Sequence, residues 1–311
     1  MGFDVDALRA AVLRKGRVVR VVIAGLRGSS PREVGAAMLV WDGGQSGTIG
    51  GGALEFEAAE AARGQDVTAR LSQHALGPDL GQCCGGAVTL LSEVYDLAAV
   101  DRLDGDVVAR AVGARALPLS VGRLLAQARG QGVQPVAQLL DGWMIEPVHW
   151  PARKVWIWGA GHVGRALVDV LAPMPDIAIT WVDTAPERFP EVVPDGVTVV
   201  PAVHPADLVQ HAPVGAEHLV LTYSHALDLE LCHRLLAHDF AFAGLIGSAT
   251  KKARFRSRLA ALGHGAERIG RITCPIGEPG LGKHPQMIAV GVATAMLRPA
   301  LQHINKKDVS A

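Results

Sequence analysis

Three glycine-rich stretches carry residue types that could bind an anion, and one pair of adjacent cysteines could meet a soft metal. GAGHVG (159–164) follows a β-rich run and opens a helical pattern. In that setting Gly159 permits a tight turn, Gly161 lets the backbone approach a phosphate, and Gly164 lets the helix pack on the sheet. Asp183 ends the next predicted strand, where a ribose-binding carboxylate would sit. NAD(P) is the ligand such a unit suggests, although the fold does not fix its ligand. A dehydrogenase also needs a proton relay. The two tyrosines, Tyr95 and Tyr223, have no lysine four residues later, so the short-chain dehydrogenase dyad is missing. His225 and Asp228 are left as candidate acid or base.

The second stretch lies in LRGSSPREVGAAMLV (26–40) and TIGGGALEFE (48–57). Gly50, Gly51 and Gly52 form a strand-to-helix junction whose free N–H groups and dipole favour an anion. Ser29, Ser30 and Arg32 could add charge-assisted bonds to the same anion. In GQCCGG (81–86), Cys83 and Cys84 sit between glycines ahead of a strand. A thiolate is a soft ligand, so Cys83 or Cys84 is a candidate contact for a late or sulfur-bound transition metal. Two buried small apolar residues would give the same pattern.

Two further motifs lie late in the chain. In GSATKKARFRSRL (247–259), Ser248 is a predicted helix N-cap, and Lys251, Arg254 and Arg258 share a face. That cationic face suits a phosphate or simply water. GEPGLGKH (277–284) falls short of a nucleotide-binding P-loop, because His284 stands where a Mg²⁺-binding hydroxyl is needed.

The elements that must position these residues fall into two groups. The 311 residues suggest two domains, and HWPARK (149–154) reads as the linker, giving domains at 1–150 and 151–311. The second half alternates strands (154–158, 177–183, 197–200, 218–224, 240–247) with helices (162–174, 227–237, 248–262, 285–297). This predicts an α/β, Rossmann-like, doubly wound parallel sheet. In the first half, strands at 17–26, 36–41 and 87–95, a helix at 52–63 and a hairpin turned at Asp141–Gly142 predict a compact α+β domain. Thirty basic residues balance thirty acidic ones, which argues against a sequence-independent nucleic-acid binder. No apolar run reaches the roughly 18 residues of a membrane span, and the first residues do not read as a signal peptide. Four cysteines in a chain this long make no disulfide framework, so a reduced cytoplasmic setting is expected.

Taken in order, GSSPREVGAAMLV, TIGGGALEFE, GQCCGG, VWIWGAGHVGRALV, LTYSHALDLEL, GLIGSATKKARF and ITCPIGEPGLGKHP resemble the XdhC/CoxI family of xanthine dehydrogenase accessory proteins over nearly the whole chain. The resemblance implies an N-terminal XdhC/CoxI domain and a C-terminal Rossmann domain. It implies a carrier rather than an enzyme. Such a carrier binds molybdenum cofactor, protects it while a cysteine desulfurase sulfurates it, and delivers it to the molybdenum subunit of xanthine dehydrogenase. A homodimer fits family habit. The expected binding residues are Ser29, Ser30, Arg32, Gly50–Gly52, Cys83, Cys84, Gly159, Gly161, Gly164, Asp183, Ser248 and Lys251. Glu278-Pro279 departs from the apolar wording expected there. Two other readings compete: an NAD(P)-dependent oxidoreductase using GAGHVG, and an interaction platform whose Rossmann half binds no ligand.

Overall fold

A computed structural model describes residues 2–76, 85–113 and 116–308. The chain divides into two compact units, Met1–Trp150 and Pro151–Ala311.

The first unit is built on a five-stranded antiparallel sheet, ordered β3-β2-β1-β5-β4. Its strands are β1 (Val18–Arg27), β2 (Ala37–Trp41), β3 (Gly44–Gly47), β4 (Ala69–Ala75) and β5 (Ala87–Tyr95). β1 is central and buried on both faces over most of its length, which is why it is apolar from Val18 to Leu26 except at the buried Arg20. Val19, Val21 and Ile23 pack with Leu54, Ala58 and Ala62 of α2 (Gly52–Arg63). The alternate residues face the other way, where Val22 and Ala24 meet Met144. Met144 belongs to a three-stranded sheet, β6-β8-β7, made of β6 (Val107–Ala111), β7 (Gln138–Leu140) and β8 (Trp143–Pro147). β7 and β8 are the hairpin expected at Asp141–Gly142, with both turn residues at positive φ.

Between those two sheets lies a buried ionic network. Arg20 makes a bidentate pair with Glu146 (2.9 and 2.7 Å), and Arg110 bridges Glu146 (2.6 Å) and Glu93 (2.8 and 2.9 Å). The Phe3 ring lies 3.9 Å from the Arg20 guanidinium carbon. Burial pushes the Glu146 carboxyl up, but the two arginines beside it win and hold it below the usual carboxylate range. Helices α1 (Val5–Lys15) and α4 (Leu119–Gln131), with the short α3 (Leu97–Asp101), complete the unit. α1 was not anticipated from the sequence, although its ends are well marked. Asp4 accepts the Ala7 N–H at 2.8 Å, and Gly16 follows the last turn at φ 77°.

The second unit is a six-stranded, all-parallel sheet ordered β11-β10-β9-β12-β13-β14. The strands are β9 (Arg153–Trp158), β10 (Ile177–Asp183), β11 (Val197–Pro201), β12 (Glu217–Val220), β13 (Phe242–Leu245) and β14 (Ile272–Thr273). On one face, Val155 and Ile157 pack with α5 (His162–Leu171) and α9 (Pro285–Asp308). On the other, Trp156 and Trp158 pack with α6 (His225–Ala237), α7 (Ala249–Ala261) and α8 (Ala266–Gly270). Helices on both faces make this the doubly wound sheet the alternation predicted. The strand order reverses between β9 and β12, so a ligand crevice belongs outside their carboxyl ends.

Candidate functional site

The turn leaving β9 divides its three glycines by role. Gly159 has φ 121°, and a Cβ there would lie 2.5 Å from the Leu221 carbonyl oxygen. A Cβ on Gly164 would lie 2.1 Å from the Gly159 oxygen. Both positions are closed by backbone, so only glycine fits. Gly161 differs: its φ is −74°, and a Cβ there meets nothing within 4 Å. It is also the N-cap of α5 and supplies no side-chain cap. The helix start therefore faces open space with a positive dipole end and no capping oxygen of its own, the arrangement that takes an anion. Two cations stand beside it. Arg165 donates from Nε to Ala160 O at 3.1 Å and from Nη2 to the Arg188 carbonyl at 3.0 Å. The Arg188 guanidinium lies 4.7 Å from the exposed Tyr223 ring.

Asp183 does not present itself to a ribose. It is 4% exposed. One carboxylate oxygen accepts the Ala160 N–H at 2.6 Å, and the other accepts the Thr184 N–H at 2.6 Å and its hydroxyl at 3.1 Å. The Arg188 Nε lies 3.5 Å away. Sequence reasoning assigned this carboxylate to a ligand; the structure gives it to the glycine turn, whose middle N–H would otherwise be buried unpaired. An open trough of about 410 Å³ begins at Thr184 and runs past His204, Asp207, Leu227, Glu230 and Arg234.

The other side of the crevice is set by a buried polar cluster after β12. Asp228 accepts the Thr222 N–H (3.0 Å) and hydroxyl (2.7 Å) on one oxygen, and Lys251 Nζ (2.6 Å) on the other. Lys251 Nζ also donates to Ile246 O at 2.9 Å. This corrects the placement of Lys251 on a free cationic face. It folds inward against Gly247, where a Cβ would lie 2.6 Å from Lys251 Cδ, because Asp228 is fully buried and needs a counter-charge. Ser248 caps α7 as expected, accepting the Lys251 N–H at 3.3 Å. His225 stands exposed at the start of α6.

In the first unit the two glycine-bearing loops do meet. A Cβ on Gly50 would lie 2.6 Å from Pro31 Cγ, and one on Gly86 would lie 2.2 Å from Ser29 O. Ser30 Oγ donates to Arg32 O at 2.9 Å, and Arg32 Nε lies 3.6 Å from Glu33. The free N–H groups expected before α2 are not free. Glu55, which sequence reasoning missed, accepts from Ile49 N (2.9 Å), Gly51 N (3.0 Å) and Thr48 Oγ1 (2.5 Å), while Gly50 N donates to Thr48 Oγ1 (3.0 Å). The only available clue was an acid in the first helical turn, a favourable place for one. Burial raises the Glu55 pKa, but these hydrogen bonds outweigh it and hold it low. The chain's own carboxylate thus sits where an anion was expected. Cys83 and Cys84 lie outside the described residues. Among the described residues no group of three or more His, Cys, Asp or Glu could hold a metal ion, and no helix is long and apolar enough to cross a membrane.

Comparison with known proteins settles the family. The XdhC Rossmann domain profile matches residues 155–296, and the XdhC and CoxI family profile matches residues 11–72. The chain belongs to the XdhC family. Its C-terminal unit is the family's Rossmann domain, so the glycine turn at 159–164 is that domain's first turn. A curated relative, the uncharacterized protein YqeB of Escherichia coli (strain K12), is 26% identical over 282 residues. That match covers 88% of this chain but 41% of YqeB, so the chain spans about two fifths of its relative's length. A crystal structure from Bacillus halodurans, titled as a xanthine dehydrogenase, superposes with a TM-score of 0.64 at 20% identity, covering 95% of both chains. That likeness shows a shared fold.

Proposed function

We propose that the chain is an accessory factor that binds molybdenum cofactor and hands it to a xanthine dehydrogenase-type enzyme, the phosphate tail resting on the start of α5. Membership of the XdhC family supports the accessory role. The observation that carries the binding step is the contrast within one turn: Gly159 and Gly164 are closed by backbone, while Gly161 opens onto an uncapped helix start. When bound, the cofactor supplies a terminal phosphate and a metal already held by its own dithiolene, so the chain need not provide a full ligand set. The residues present fit the phosphate end. Gly161 admits it, the α5 N–H groups face it, and Arg165 and Arg188 add positive charge nearby.

A dinucleotide reading is less well supported. It needs a carboxylate free to receive ribose hydroxyls, and Asp183 already accepts from Ala160 and Thr184. The two readings separate by co-purification. Protein from cells that make molybdopterin should carry pterin, measured as its fluorescent oxidation product, and protein from cells that cannot should carry none. NAD(P) bound without pterin in both preparations would overturn the proposal.

A further inference from the structure

A second crevice lies on the helical layer opposite α5. It has a volume of about 280 Å³ and opens between α6, α7, α8 and the short edge strand β14. Its walls are apolar: Phe255, Leu259, Ile269 and Ile272 line it, each under 9% exposed. Two thiols, Cys232 and Cys274, complete the interior. Burial pushes the Cys232 thiol up to about 12 and raises Cys274, so both stay protonated and act as apolar wall. Lys252 and Arg256 also line the crevice, one helical turn apart on α7. Both are exposed, and neither pairs with a carboxylate among the described residues. Their neighbour Lys251, by contrast, turns inward to Asp228. An apolar interior joined to two uncompensated cations is built for a molecule with one apolar end and one negative end.

We propose that this crevice is a binding site for a small amphiphilic anion of the medium-chain carboxylate class. The hydrocarbon chain lies against Phe255, Leu259 and Ile269, and the carboxylate meets Lys252 and Arg256. A larger or wholly polar ligand does not suit it, because the volume is at the small end for ligand pockets and the interior offers no polar side chain except the two thiols.

Octanoate is the probe, titrated calorimetrically into the full chain, with 1-octanol as the neutral ligand of equal length. Octanoate should bind saturably at one site below about 1 mM. Lys252→Gln with Arg256→Gln should weaken octanoate about tenfold and leave octanol unchanged, as expected for the loss of two exposed charge contacts. Ala266→Phe places a ring at the exposed mouth without touching the core, and should abolish binding of both ligands while the melting temperature holds. Absence of saturable octanoate binding would overturn the site. So would binding that survives Ala266→Phe. Equal effects of the charge substitutions on octanoate and octanol would overturn the carboxylate assignment.

Discussion

Replacing Gly161 with aspartate separates folding from ligand binding at the glycine turn. The backbone there (φ −74°, ψ −173°) is extended and open to any residue, and the new Cβ would meet nothing within 4 Å. Gly161 is the α5 N-cap, and aspartate is a better N-cap than glycine by a few tenths of a kcal/mol. The unit over 151–311 should therefore melt at the same temperature or about 1 °C higher. The effect on an incoming phosphate has the opposite sign. Two unit charges about 4 Å apart near a protein surface repel by roughly 4 kcal/mol, and solvent screening leaves about half of that, a loss of about 30-fold. Differential scanning calorimetry reads the first effect, and pterin retained per chain reads the second. Gly164→Ala is the contrasting control. Its Cβ would strike the Gly159 oxygen at 2.1 Å, so it should destabilise the unit by several kcal/mol whatever the ligand does. If Gly161→Asp keeps full pterin retention in a folded protein, the phosphate does not rest on α5.

Three further outcomes follow from the geometry. Glu146→Ala removes the carboxylate shared by Arg20 and Arg110, leaving the buried Arg20 uncompensated and Arg110 with Glu93 alone; urea unfolding should show a loss of about 3–5 kcal/mol in the first unit. His218 is fully buried, stacks on Trp158 and accepts its indole N–H at 3.2 Å, and burial pushes its pKa from 6.5 down to about 3. Between those values the unfolded chain binds a proton that the folded chain refuses, so stability falls as pH drops from about 6.5 toward 3. Unfolding followed by Trp fluorescence at pH 7 and 4.5 should show a loss of about 2–3 kcal/mol, absent in His218→Phe. Glu55→Ala frees the amides of Ile49 and Gly51; the variant should lose about 1–3 kcal/mol and gain a weak phosphate site before α2, detectable by calorimetry as one further equivalent bound relative to the parent chain.

The legible parts of this sequence are those written in short-range spacing. GAGHVG sits between a β-rich run and a helix, so β9, α5 and the need for glycine at the backbone-closed Gly159 and Gly164 could be read from six residues. The hairpin at Asp141–Gly142 was legible for the same reason, since its positive-φ turn has a residue preference. Partnerships across long separations were not. Arg20 and Glu146 are 126 residues apart, and nothing local marks either as buried. Lys251 looked like one member of a cationic face because its partner, Asp228, stands on a different helix. Glu55 was hidden by its ordinary setting, an acid in the first turn of a helix. Asp183 was placed at the correct strand end, but the direction of its carboxylate depends on where the turn's Ala160 N–H points.

The account stands or falls on uptake of one compound. Equilibrium dialysis of the purified chain against molybdenum cofactor released from a donor enzyme measures it directly. The account predicts saturation at one equivalent per chain with a Kd of about 1 μM or tighter, greatly weakened in Gly161→Asp. Failure to take up the cofactor at micromolar concentration would contradict it.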